Sequence, residues 1–113
     1  MHEMALTESL IELIAGEGRS RGFARVRVVR LELGALGGVD TEAMRFCFDA
    51  VAKGTLVEGA TLDIAVTPGE GWCLDCAKPV AIYERFGACP ECGRFHVQVS
   101  AGDELRLKEL EVE

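Results

Sequence analysis

Four cysteines set in two pairs constrain this chain more than any other feature. They read Cys73-Leu-Asp-Cys76 and, after twelve residues, Cys89-Pro-Glu-Cys92, with Trp72 ahead of the first pair and Gly93 behind the second. Two Cys-X-X-Cys turns brought together close a tetrahedron of soft thiolates, the arrangement of a structural zinc site. An iron site shares that geometry, and a redox dithiol also uses Cys-X-X-Cys. A dithiol centre needs only one pair, at a helix N-terminus, whereas the two pairs here and the glycine after the last cysteine suit knuckle turns. Zinc is therefore the expected ion. With every position taken by sulfur it has no open site for activating water, so its role is to hold a fold.

At 113 residues and 49% hydrophobic content, the chain can bury one core and carry a small satellite that needs a staple. The formal net charge of −7, from 19 acidic and 12 basic side chains, repels phosphate backbones and anionic membranes. Around the cysteines, Lys78, Arg85 and Arg94 are balanced by Asp75, Glu84 and Glu91, so the basic face used in nucleic-acid binding is missing. No apolar run approaches the roughly 20 residues that span a bilayer, and the start lacks a basic leader, so a soluble cytoplasmic protein is expected. Thiols there are kept reduced, which favours metal binding over disulfides for the five cysteines. Cys47 is left over, and its place on an apolar helical stripe makes it a small core residue.

Periodicity divides the chain into helix, strand, helix, strand, cysteine module and strand. Leu6, Leu10, Leu13 and Ile14 recur at helical spacing from Met4 to about Glu17, after which Gly18-Arg-Ser-Arg-Gly22 reads as an exposed loop. Arg25 to Leu33 is a first strand with Val29, Leu31 and Leu33 on one face, ended by a flexible turn over Gly34–Gly38. Asp40 is the expected cap of a second helix that carries Met44, Cys47, Phe48 and Val51 and stops at Gly54. Ala60 to Thr67 alternates with Leu62, Ile64 and Val66 inward. Phe95, Val97 and Val99 alternate after the cysteines, and Glu104 to Val112 makes a last strand whose phase slips between Leu107 and Leu110, as at a bulge. The first two strands and the helix between them form a right-handed crossover if the strands lie parallel. The fold class is α+β, with the cysteine module inserted before the last strand.

A second group of candidate ligands stands at the start. The amine of Met1, the amide nitrogen and imidazole of His2, and the amide of Glu3 can close fused chelate rings in one plane, a field that suits nickel(II) or copper(II). His96, the other histidine, is a candidate accessory ligand, and Asp40 a candidate support from a neighbouring loop.

Met1-His2-Glu3, Leu33-Gly34-Ala-Leu-Gly-Gly-Val39 followed by Met44-Arg-Phe-Cys-Phe48, Gly54-Thr-Leu-Val-Glu-Gly-Ala60, the paired cysteines and Gly102-Asp-Glu-Leu105 together resemble the HypA/HybF family. The resemblance runs over essentially the whole chain, with Ala77 where a knuckle glycine often sits and Cys47 where a small apolar residue is more usual. It implies a small mixed three-stranded sheet with two helices, built from residues 1–70 and 101–113, and a projecting zinc-ribbon-like domain over 71–100. It implies a non-enzymatic nickel metallochaperone of hydrogenase maturation, with nickel at Met1, His2 and Glu3 and structural zinc at Cys73, Cys76, Cys89 and Cys92. The implied partners are a HypB-type GTPase, the precursor of the hydrogenase large subunit and, if urease is also served, urease accessory proteins. Two rival readings start from the cysteines alone: a zinc-ribbon adaptor without nickel transfer, and a redox or zinc-storage protein with an exposed thiol pair.

Overall fold

A computed structural model describes residues 2–113 of the chain. The chain divides into two compact units, residues 1–31, 39–65 and 107–113 forming the first, and 32–38 and 66–106 the second. Two helices, α1 (Glu3–Arg21) and α2 (Thr41–Ala52), accompany strands β1 (Val26–Gly34), β2 (Thr61–Thr67), β3 (Gly69–Cys73), β4 (Lys78–Ile82), β5 (Val97–Ala101) and β6 (Leu105–Val112). The strands form two three-stranded sheets, in the orders β2-β1-β6 and β4-β3-β5. No described helix is long and apolar enough to cross a membrane.

The first sheet is mixed, as expected. Gly34 N–H donates to the Glu104 carbonyl at one end of β1 and Glu113 N–H to the Arg25 carbonyl at the other, so β6 runs antiparallel to β1. Asp63 lies beside Arg30, and Thr67 donates to the Leu33 carbonyl, so the two strands advance together and β2 runs parallel to β1. Parallel neighbours require a long crossover, and α2 supplies it.

Helix α1 runs four residues beyond the predicted end at Glu17, because Gly18 continues it instead of breaking it. A Cβ at Gly18 would meet the Leu56 side chain and the Phe23 carbonyl, both at 2.9 Å, so the glycine is there to let the helix pack closely. Arg19 and Arg21 close the last turn, where cations complement the helix dipole, and Gly22 ends it in the left-handed conformation at φ 81°. The buried face is also rotated from expectation. Thr7 lies inside while Leu13 is 53% exposed. Thr7 tolerates burial because its hydroxyl donates to the Glu3 carbonyl one turn back, 2.7 Å away.

Helix α2 begins at Asp40, whose carboxylate accepts from the amides of Glu42 and Ala43 at 3.0 and 3.1 Å. Met44, Phe48 and Ala52 are its buried residues, and Cys47 is half-buried at the edge of the stripe, not at its centre. Val66, expected inward, is 51% exposed, because burial along β2 falls off beyond Leu62.

The second sheet was not foreseen beyond β5, whose predicted start at Phe95 also fails: Phe95 is exposed and precedes the strand. β3 is central, pairing antiparallel with β4 from Gly69–Ile82 to Cys73–Lys78 and with β5 from Glu70–Ala101 to Cys73–Val97. β3 has the sequence Gly-Glu-Gly-Trp-Cys, and two glycines in five residues disguise a strand. Gly71 is required because a Cβ there would press within 2.6 Å of Val97 Cγ1. The expected flexible turn after β1 is a short 3-10 turn, Ala35–Gly37, that buries Leu36 in the core of this unit.

Gly34 lies so close to the Gly102 carbonyl that an added Cβ would overlap backbone, which cannot rotate away as a side chain can. Gly34→Ala is therefore expected to lower unfolding free energy by about 2 kcal/mol, the ordinary scale of overpacking. Urea denaturation measures it, and a loss below about 0.5 kcal/mol would mean that the two segments separate freely.

Candidate metal centres

The four paired cysteines converge. The sulfurs of Cys73, Cys76, Cys89 and Cys92 all lie within 4.8 Å of one another, a set able to hold one metal ion. Each pair is shaped by the same turn. Ala77 N–H donates to the Cys73 carbonyl and Gly93 N–H to the Cys89 carbonyl, at 2.8 and 2.9 Å, while Cys76 N–H points at Cys73 Sγ and Glu91 N–H at Cys89 Sγ, both at 3.4 Å. Amide donors aimed at sulfur favour thiolate over thiol. Four soft ligands in a closed shell fit zinc, with no position left for substrate.

The turn also explains Ala77. Both turns end in a left-handed residue, Ala77 at φ 53° and Gly93 at φ 75°. The expected knuckle glycine is replaced at a position that still demands its conformation, and an L-residue is strained there.

Two of these thiols are shifted in opposite directions. Hydrogen bonds from the backbone of Cys92 and Glu91 bring Cys89 down to about 7, whereas hydrogen bonding to the sulfurs of Cys92 and Cys73 pushes Cys76 up to about 12. Around the cluster, Asp75 accepts His96 Nδ1 at 2.7 Å and faces Arg94 at 3.5 Å. His96 therefore sits in the second unit beside the cysteine turns, engaged by a carboxylate.

The other candidate group lies in the first unit. Met1 falls outside the described residues. His2 caps α1 without a side-chain cap hydrogen bond, exposed, with φ −114° and ψ 37°. Its carbonyl accepts the first helical hydrogen bond, from Leu6 at 2.8 Å. Glu3 is buried, and its Oε2 accepts the Asp40 N–H at 3.0 Å. Glu3 and Asp40 are thus brought together, Asp40 presenting its amide to Glu3 and its carboxylate to α2. By sequence Asp40 is a candidate support for the N-terminal group, but nothing in the spacing of residues 3 and 40 names the Glu3 carboxylate as its partner.

Two measurements check the cysteine site. Zinc uptake by the metal-free protein is expected to release protons, because the ligands bind as thiolates, which calorimetry in buffers of different ionisation enthalpy would read; release of none would exclude these thiols as ligands. Ala77→Gly should raise the thermal stability of the zinc-loaded protein by about 1 kcal/mol, since relief of left-handed strain outweighs the added freedom of the unfolded chain. A clear loss of stability would place the turn's demand elsewhere.

Comparison with known proteins agrees with the site. A family model described as "Hydrogenase/urease nickel incorporation, metallochaperone, hypA" matches residues 1–112. The chain is 57% identical over 113 residues to the hydrogenase maturation factor HypA of Methylocella silvestris and 58% identical over 113 residues to that of Rhodopseudomonas palustris, covering all of each chain. Among solved structures, that of the nickel metallochaperone HypA from Helicobacter pylori superimposes with a TM-score of 0.70 at 27% identity, covering 99% of this chain and 97% of the other. A fold of two helices and two small sheets, a four-cysteine cluster and a whole-length family match lead to one conclusion: the chain belongs to the HypA family of nickel metallochaperones for hydrogenase maturation.

Proposed function

We propose that this chain carries one nickel(II) ion at its N-terminus, on the Met1 amine, the amides of His2 and Glu3 and the His2 imidazole, with Met1 as the free terminus. The backbone at His2 carries this reading. A five-membered ring through the nitrogens of His2 and Glu3 needs them on the same side of the Cα–C bond, and ψ 37° at His2 already turns them that way. The imidazole, exposed and held by no cap hydrogen bond, can swing to close the next ring. Four nitrogens in a plane suit nickel(II). The Glu3 carboxylate supports the site from behind through its bond to the Asp40 amide.

In this reading residues 1–70 and 101–113 make the nickel-carrying domain and 71–100 a zinc domain whose closed shell of Cys73, Cys76, Cys89 and Cys92 is structural. The protein acts as a carrier and not as a catalyst, working in the cytoplasm and passing nickel by ligand exchange to a HypB-type GTPase or to the hydrogenase large-subunit precursor. Service to urease, through its accessory proteins, is the same chemistry with another recipient. Asp40 supports the nickel site through Glu3, and His96 is a candidate accessory nickel ligand.

The test is an extension of the chain by two residues before Met1, which turns the amine into an ordinary amide and shifts the start of the chelate. Nickel affinity is expected to fall at least tenfold, about 1.4 kcal/mol, with loss of the square-planar absorption band, while zinc content is unchanged. Undiminished affinity in the extended protein would remove the amine from the ligand set.

A further inference from the structure

The outer face of the second sheet carries a groove that neither metal uses. Along β3 the residues alternate, Gly69, Gly71 and Cys73 buried, Glu70 and Trp72 exposed. Trp72 stands opposite Pro79 on β4 and Gln98 on β5, and Glu70 opposite Ala81. Glu70, Trp72, Pro79, Ala81 and Ser100, whose hydroxyl donates to the Glu70 carbonyl, line a shallow hollow of about 610 Å³. A sheet this small has no second layer for that face, and Trp72 is left 44% exposed.

Glu70 also borders a second hollow of about 470 Å³, which shares Pro68 with the first and reaches Glu32, Glu104 and Arg106. Its charges do not cancel. Arg106 is held by Glu32, and Lys78, next to Pro79 on β4, is held by Glu91 at 2.5 Å. Glu70 and Glu104 form no ion pair among the described residues. The groove therefore offers one aromatic face and two uncompensated carboxylates, in a chain of net charge −7.

We infer that this face of the zinc-bearing sheet is a docking groove for an extended, arginine-containing segment of a partner protein. A guanidinium lying on the indole of Trp72 gains cation–π attraction while its edge pairs with the Glu70 carboxylate. A second cation further along the segment pairs with Glu104 in the neighbouring hollow, which shares Pro68 and Glu70 with the first. Pro79 and Ala81 supply apolar floor for the stem of the arginine, which buries its methylenes while its head stays polar. The same charges turn away nucleic acid. The groove works without the N-terminal nickel chelate, so it adds a recognition surface to the proposed carrier and stands or falls separately from it.

Trp72 is the single tryptophan of the chain, so its emission reports the groove directly. Zinc-loaded full-length protein is titrated with a blocked peptide Gly-Arg-Gly-Arg-Gly, and with the same peptide carrying citrulline or glutamate in place of arginine. A saturable change in emission with the arginine peptide, weakening as salt rises and absent with the other two, is expected. By calorimetry, Glu70→Gln should weaken binding about threefold and Trp72→Leu about fivefold. Zinc content and nickel affinity stay as in the unaltered protein. Where Trp72→Leu fails to fold, Glu70→Gln decides. The inference is overturned if the arginine peptide gives no saturable change at millimolar concentration, if citrulline or glutamate peptides bind equally well, if Glu70→Gln binds undiminished, or if a single-stranded oligonucleotide occupies the groove in the peptide's place.

Discussion

The second unit exists because four sulfur atoms are gathered around one point. Its core is Leu36, Cys73, Val80, Ile82 and Cys89, with Cys76 and Val97 packed against it, so the candidate metal ligands are themselves a large part of the buried interior. A cluster that small cannot offset the entropy of ordering two hairpin-like turns and three strands. A cation that binds only the assembled thiolates supplies the missing free energy as folding free energy. The sheet then follows. Cys73 ends β3, the first turn leads directly into β4, and Leu74 N–H donates to the His96 carbonyl just before β5, so each strand enters or leaves the sheet at the metal.

Where the sequence could be read, the cause was a single dominant local force. The cysteine spacing admits one geometry, Asp40 has a carboxylate where helix amides need an acceptor, and Met44, Phe48 and Leu62 occupy phases that only an interior rewards. Readings failed where two forces compete at one residue. Gly18 weakens a helix by propensity and yet continues this one, because close packing against Leu56 and Phe23 has no room for a side chain. Thr7 looks polar and is fully buried, its hydroxyl satisfied within its own helix. The second sheet was hidden for the same reason, since Gly69 and Gly71 look like turn residues until the crowding of Leu36 and Val97 above them is known.

The candidate sites divide along the same line. The four cysteines were legible as a set because the chemistry of a metal shell is written in residue type and spacing. The N-terminal group was legible only as a donor list. What makes it a site in the proposed reading is the backbone turn at His2 and the contact between residues 3 and 40, neither of which leaves a trace in composition or period.

That contact gives the N-terminus a short leash. With the Glu3 carboxylate on the Asp40 amide, itself part of the cap of α2, the first turn of α1 is tied to the start of α2. In the proposed reading, a chelate that includes the Glu3 amide is held at the first turn of α1 by that anchor. A recipient would then have to bring its own ligands up to that turn, so that transfer becomes an event between docked surfaces, with its selectivity set by which proteins can approach closely enough.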